Sequence, residues 1–118
     1  MWDAHSIRSV LPQFFCGKLP DFSIGTNDGQ SCDPELERSI ADLAQQSAPF
    51  TMVSNGRYKG GYITRHYAAP DRGIHTLQME LTQSAYMREA PPWTWDGGRA
   101  VVLQKRLKEM LGSALLFA

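Results

Sequence analysis

The apolar residues of this chain follow two different periods, and the way these periods alternate constrains the fold more than any other feature. A start signal of Asp33-Pro34-Glu35 and an apolar stripe at helical spacing predict a helix over about 34–47, with the stripe formed by Leu36, Ile40, Leu43 and Ala44. A second stripe predicts a helix over about 97–115, whose buried face comprises Leu103, Leu107, Met110, Leu111 and Ala114. Segments 50–54 and 74–81 have strand character, so helices and strands interleave and the fold class is α/β.

Length, charge and cysteine content limit the classes of protein to consider. The 118 residues are 42% hydrophobic, which suits a single domain over 1–118. Twelve basic side chains balance twelve acidic ones, so the net charge favours neither nucleic acid nor an anionic membrane. The chain has no long apolar run and no leader pattern, and its two cysteines form no CxxC motif. We therefore expect a soluble, cytoplasmic protein with free thiols.

The strand over 74–81 places a carboxylate in a chemically useful position. Its alternation directs Leu77, Met79 and Leu81 to one face, and Gln78 and Glu80 to the other. Open α/β sheets bind ligands near the carboxyl ends of strands, so Glu80 is a candidate general base. The alternative is that Glu80 faces solvent on an edge strand.

The segment 55–67, NGRYKGGYITRHY, carries positive charge and no acidic residue. Its cations are Arg57, Lys59, Arg65 and His66, and its three glycines allow the backbone to approach a small ligand closely. Arginine forks suit carboxylates, so we predict a site for a small carboxylate. A solvated basic loop is the plainer alternative. Stacking of RNA bases on the aromatic rings ranks lower because no RNA-binding signature is present.

The opening residues, MWDAHSIRS, look like the end of a buried strand at Trp2–Ala4, followed by a loop with His5, Ser6 and Arg8. A histidine just past a strand end is well placed to bind a metal, and Asp3 or Ser6 would hold its ring. A lone histidine is more often structural than a ligand, and we expect packing or a backbone hydrogen bond for His75.

Four stretches in order, DAHSIRS, KLPDFSIGTNDG, NGRYKGGYITRHY and HTLQMEL with its trailing TQSAYM, resemble the bacterial N-formylglutamate amidohydrolases, or deformylases. The resemblance covers nearly the whole chain. It implies a zinc carboxypeptidase-like (phosphorylase/hydrolase-like) fold, an α/β/α sandwich on a mixed sheet. The activity it implies is hydrolysis of N-formyl-L-glutamate to formate and L-glutamate, a step of histidine degradation.

Carried to this sequence, the resemblance implies a role for each candidate residue. His5 would be a ligand of Zn²⁺ or another divalent metal, with Asp3 and Ser6 supporting it. Glu80 would be the catalytic general base. The substrate's carboxylates would be bound by residues of the basic segment and of the opening loop, namely Arg8, Arg57, Arg65 and His66.

The resemblance also implies that the chain corresponds to the C-terminal part of the family's domain. The N-terminal half, with the remaining metal ligands, would be missing, and this chain alone would not fully coordinate the ion. We expect exposed sheet edges, marginal stability, and either self-association or a complementing N-terminal half. An alternative function is a catalytically inactive remnant that serves as a carboxylate-binding or protein-interaction module.

Overall fold

The computed structural model describes residues 1–118, which form four strands and three α-helices. The strands are β1 (Trp2–Ile7), β2 (Phe22–Gly25), β3 (Met52–Ser54) and β4 (Leu77–Thr82). The helices are α1 (Pro34–Gln45), α2 (Tyr62–His66) and α3 (Gly97–Ala114). Both long helices predicted from the apolar stripes are present, and α2 is an additional short helix inside the basic segment.

Local capping explains where the long helices begin. The Asp33 carboxylate accepts a hydrogen bond from the backbone N–H of Glu35 at 2.7 Å, and Pro34 occupies the first turn of α1. At α3, the Asp96 carboxylate accepts from the backbone N–H of Arg99 at 3.1 Å. Each acidic side chain thus satisfies an N–H group that the first helical turn leaves without a partner.

The four strands form one mixed sheet in the order β1-β4-β2-β3. Strand β4 lies between β1, which runs parallel to it, and β2, which runs antiparallel. Strand β3 pairs in parallel with β2. The observed class is therefore α/β with a mixed sheet, as expected. The strand predicted over 74–81 starts later, at Leu77, because Ile74 instead pairs with Ala69 in an isolated bridge.

The opening residues differ from the prediction. Strand β1 continues through His5 and Ser6 to Ile7, so neither residue lies in a loop. The reason is the length of β4, which offers a continuous parallel partner from Trp2↔Leu77 to Ile7↔Thr82. Strand β1 is also at the edge of the sheet, and its residues are half-buried or exposed, not buried as predicted.

The core lies between one face of the sheet and the helices α1 and α3. Strands β2 and β4 direct Phe22, Ile24, Leu77 and Met79 to this face, and all four are at most 2% exposed. The helices contribute Leu36, Ile40, Ala44, Leu103 and Met110 to the same cluster. The predicted stripes are therefore confirmed, except that Leu111 is 41% exposed. None of the helices is long and apolar enough to cross a membrane.

Replacing Met110, which is fully buried, by Ala should lower the free energy of unfolding by about 2–5 kcal/mol, because a cavity would form in the core cluster that Met110 shares with residues of α1 and the sheet. Val101, on the same helix and 61% exposed, is the control. Its replacement by Ala should change the stability by less than about 0.5 kcal/mol. Urea denaturation of both variants measures the difference, and equal losses would contradict this packing of α3.

Candidate active site

The face of the sheet opposite α1 and α3 is polar because of the strand register. Across β1, β4 and β2, His5 aligns with Glu80 and Glu80 aligns with Ser23. Two residues away along each strand, and therefore on the same face, Asp3 aligns with Gln78 and Gln78 aligns with Gly25. Since aligned residues of neighbouring strands share a face, the register places these side chains together. The predicted placement of Gln78 and Glu80 on one face is confirmed.

Glu80 lies in the middle of this polar face and is only 8% exposed. Burial raises the pKa of its carboxyl group above the ordinary 4.5, the charge of His5 acts in the opposite direction, and the charge of Asp3 raises it further. The alternative of a solvent-facing residue on an edge strand is wrong, because β4 has a partner strand on each side. A carboxylate with a raised pKa is suited to accept a proton near neutral pH.

His5 forms a close pair with Asp3. Its Nε2 lies 2.9 Å from Oδ1 of Asp3, which is the orienting contact predicted for this acid. The imidazole is half-exposed and the carboxylate is largely buried, so the ring extends from the sheet towards solvent. Ser6 does not support the ring. It follows His5 in the strand, projects to the opposite face, and accepts a hydrogen bond from the hydroxyl of Tyr86 at 3.0 Å.

The donor set of this face does not suffice for a metal ion. No group of three or more His, Cys, Asp or Glu side chains in this chain is arranged to hold one. A catalytic zinc usually has three protein ligands, so His5 and its neighbours do not form a complete site by themselves. The His5–Asp3 pair nevertheless has the carboxylate–imidazole form that orients a ligating histidine.

The glycine-rich part of the basic segment crosses the sheet close to these residues. The backbone N–H of Gly61 donates to Oε1 of Gln78 at 2.9 Å. A side chain at Gly25 would collide with the backbone, since an added Cβ would lie 2.5 Å from the nitrogen of Gly60. The absence of a side chain at Gly25 therefore allows the basic segment to lie directly on strand β2.

The predicted substrate-binding cations occupy three different places. The Arg57 guanidinium lies 5.3 Å from the ring centroid of Phe15. Arg65 and His66 are exposed in the last turn of α2, where the His66 ring stacks on Tyr62. Arg8 lies beyond the end of β1, against the ring of Trp93 and the carbonyl of Glu89. The structure therefore shows separate contacts for these side chains and no direct contact among Arg8, Arg57 and Arg65.

The charges within the basic segment are not equivalent. Lys59 pairs with Asp28 at 3.0 Å, which neutralises it. The ion pairs of the chain include neither Arg57 nor Arg65. Both arginines of the segment therefore have no carboxylate partner within the chain, which is compatible with the prediction that they bind an external one.

Two carboxylates that shape the site were missed by the sequence reasoning. Glu37 of α1 binds the residues that end β2 and β3, and Glu89 accepts hydrogen bonds from Ser9 and Ser84, beyond the ends of β1 and β4. Glu37 belongs to a helix whose pattern indicates only packing. The Asn-Gly pair at 55–56 is the one local signal for the turn that Glu37 holds.

The predicted role of His75 is confirmed in part. Its Nδ1 accepts a hydrogen bond from the backbone N–H of Asp33 at 3.2 Å, just before α1. His75 precedes β4 and is not part of the strand itself. The residue is therefore a structural histidine that links the entrance of α1 to the entrance of β4.

A buried carboxylate with a raised pKa, next to a carboxylate–histidine pair on one face of an α/β sheet, marks this face as a candidate active site of an enzyme. The model of the N-formylglutamate amidohydrolase family matches residues 1–87, and the chain belongs to this family. The family resemblance drawn from the sequence motifs is thus confirmed.

Two relatives extend this similarity over almost the whole chain. N-formylglutamate deformylase of Pseudomonas putida is 48% identical over 115 residues, and that of Pseudomonas aeruginosa is 44% identical over the same length. Both alignments cover 98% of this chain but only 43% of the relative. The chain therefore spans less than half the length of these relatives.

A solved structure supports the fold. The crystal structure of N-formylglutamate amidohydrolase from Ralstonia eutropha JMP134 superposes with a TM-score of 0.78 at 22% sequence identity. The superposition covers 98% of this chain and 41% of that one. The α/β arrangement of the four strands and their helices is therefore the same as part of the fold of that protein.

The raised pKa of Glu80 predicts a pH-dependent stability. Above about pH 4.5, the unfolded chain releases this proton while the folded chain retains it, so the wild type loses stability as the pH rises. Glu80→Gln removes the ionisable group. The variant should be more stable than the wild type at pH 7, and this advantage should disappear towards pH 4.

Thermal melts between pH 4 and pH 8 measure this difference. Asp71→Asn is the matched control, since Asp71 is exposed and takes part in none of the ion pairs of the chain. The control should follow the wild type at every pH. A constant difference between Glu80→Gln and the wild type would show that Glu80 does not titrate as described.

Proposed function

We propose that this chain forms part of an amidohydrolase that converts N-formyl-L-glutamate to formate and L-glutamate. The observation that carries the proposal is Glu80, a buried carboxylate with a raised pKa beside the His5–Asp3 pair in a member of this family. The relatives named as deformylases support the substrate. The location we propose is the cytoplasm, where thiols such as Cys16 and Cys32 stay free.

In the proposed reaction, Glu80 removes a proton from a water molecule whose oxygen attacks the formyl carbon. The carbon–nitrogen bond then breaks, and Glu80 delivers the proton to the departing amine nitrogen, so formate and glutamate leave without a net change in the enzyme. We propose Arg57 and Arg65 as partners for the two carboxylates of the product, with Arg8 and His66 as further contacts. The two unpaired arginines of the segment support this assignment.

His5 is proposed as one ligand of Zn²⁺ or another divalent ion. The other ligands would come from a polypeptide segment that corresponds to the part of the relatives outside the alignment. Such a segment would also complete the second helical layer of an α/β/α sandwich, since α1 and α3 both pack on one face of the sheet.

Two surfaces of the chain suit such a segment. The outer edge of β1 has no neighbouring strand, so its backbone groups are free to pair with an additional one. Next to this edge lies an apolar cavity of about 580 Å³, lined among others by Met1, Trp2, Leu36, Leu77, Leu111 and Phe117. We propose that the complementing segment pairs with β1 and fills this cavity, which also accounts for the exposure of Leu111.

A catalytically inactive protein that binds carboxylates is the second candidate function. The observation in its favour is the lack of a three-ligand group in this chain. This candidate predicts binding of the substrate without formate release, even when the complementing segment is present.

Complementation tests both candidates. This chain is co-expressed with the part of the Pseudomonas putida deformylase that lies outside the alignment, and formate release from N-formyl-L-glutamate is measured with added zinc. We expect activity only in the complex. Glu80→Gln should lower it by a factor of about 10² to 10⁴, because the general base is lost.

The control for this assay is Glu35→Gln, which should retain full activity. Sedimentation of the same samples reports whether a complex forms and whether the chain alone self-associates. A complex that contains both parts and zinc but releases no formate would contradict the enzyme proposal and support the inactive binding protein.

Substrate binding is tested on the chain alone. Arg57→Gln and Arg65→Gln should each weaken the binding of N-formyl-L-glutamate by roughly ten- to a hundredfold, because each removes a charge-assisted hydrogen bond. Lys105→Gln, an exposed site on α3, should have no effect. Titration calorimetry measures the affinities. Equal affinity of all variants would exclude the basic segment as the carboxylate site.

A further inference from the structure

The carboxylate of Glu37 gathers three donors at the point where β2 and β3 end. Its Oε2 accepts from the hydroxyl of Thr26 at 2.6 Å. Its Oε1 accepts from the hydroxyl of Ser54 at 2.6 Å and from Nδ2 of Asn55 at 2.9 Å. Thr26 follows the last residue of β2, while Ser54 and Asn55 are the end of β3 and the residue after it. One side chain of α1 thus binds both strand ends.

Asn55 is the residue at which the chain turns into the basic segment. Its φ is 49°, in the left-handed region that asparagine tolerates better than most residues. Its Oδ1 accepts from the backbone N–H groups of Thr26 and Asp28 at 2.9 and 3.2 Å. Its Nδ2 also donates to the Thr26 hydroxyl at 2.8 Å. Both polar atoms of the Asn55 side chain are therefore used to fix this turn.

Beyond the turn, two further hydrogen bonds attach the segment, one to the loop that follows β2 and one to strand β4. The backbone N–H of Asn27 donates to the carbonyl of Lys59 at 2.6 Å, and the backbone N–H of Gly61 donates to Gln78. Arg57 lies between the turn and these attachments. The direction of the chain at Asn55 therefore determines where the Arg57 backbone starts on the surface of the sheet.

We propose that Glu37 is a positioning residue, which holds Asn55 and through it orients the carboxylate-binding segment that carries Arg57. The inference rests on the proposed binding role of that segment. Glu37 lies on α1, which packs on the opposite face of the sheet, so it acts through Asn55 and contacts no substrate.

The chemistry of the junction explains why a carboxylate is required. Thr26, Ser54 and Asn55 all donate, and only an acceptor with two oxygens satisfies all three. If Glu37 were replaced by glutamine with its amino group at the Oε1 position, this amino group would face the Nδ2 amino group of Asn55, and two donors would meet. If the amino group of this glutamine instead took the Oε2 position, the Thr26 hydroxyl would have no acceptor. Either orientation loses at least one hydrogen bond of the junction, and an amino group at the Oε1 position also removes the acceptor of the Ser54 hydroxyl.

A mutant cycle tests the proposal. Glu37→Gln and Asn55→Asp are made separately and together, with Glu35→Gln of the same helix as the control. Asn55→Asp alone places two carboxylates in contact. In the wild type, the side chain at position 55 donates to the side chain at position 37. In the double variant, the new amide at position 37 would donate to the new carboxylate at position 55, so the hydrogen bond is restored in the opposite direction.

Amide hydrogen exchange is measured by NMR on the chain without ligand. In each single variant, the amides of Asn27 and Gly61 should exchange faster by a factor on the order of ten, while those of α3 stay unchanged. The double variant should recover protection. Unchanged exchange of Asn27 and Gly61 in Glu37→Gln would overturn the proposal. If Glu37→Gln does not fold, the double variant is compared with Asn55→Asp. Equal exchange rates of the Asn27 and Gly61 amides in these two variants would also overturn the proposal.

Affinity for N-formyl-L-glutamate then separates this inference from the function on which it rests. The expected result is weaker binding in Glu37→Gln, recovery in the double variant, and wild-type binding in Glu35→Gln. If Arg57→Gln weakens binding but Glu37→Gln does not, the segment binds substrate and the positioning role is wrong. If neither variant affects binding while Glu37→Gln still speeds exchange, Glu37 holds the segment but the carboxylate site lies elsewhere.

Discussion

The pairing of β4 with β1 on one side and β2 on the other is the constraint on which the rest of the structure depends. This register aligns His5 with Glu80, and Gln78 with Gly25. It also places Leu77 and Met79 on the opposite face, against α1 and α3. A shift of one residue would exchange the two faces and bury the polar side chains in the helical layer, so the apolar core and the polar face are specified by the same register.

The local features of this arrangement could be predicted from the sequence, and the long-range ones could not. The Asp33-Pro34-Glu35 start and the alternation around Glu80 act within a few residues, and both predictions were confirmed. The end of β1 depends on β4, more than seventy residues away in the sequence, which is why His5 and Ser6 were wrongly placed in a loop. The separation of Arg8 from Arg57 similarly depends on contacts with Trp93 and Phe15.

In the proposed complex, the edge position of β1 links the metal site to the added helical layer. His5 and Asp3 are on the outermost strand, so residues supplied from beyond that edge would reach the exposed imidazole. The apolar cavity lies beneath the same edge, between β1 and the end of α3. A segment that covered the cavity would therefore bury apolar surface and approach His5 with the same element. Stability and completion of the site are coupled in this geometry.

Two glutamates on opposite sides of the sheet, Glu37 and Glu80, have very different environments. Glu37 receives three hydrogen bonds, which satisfy both of its carboxylate oxygens within the protein. Burial dominates the pKa of Glu80 and no hydrogen bond contributes to it, so its charged form is disfavoured. Each glutamate directly follows a buried apolar residue in the sequence, so local pattern does not distinguish them. The contacts that distinguish them come from residues distant in the sequence, so the fold and not the local pattern gives the two carboxylates different environments.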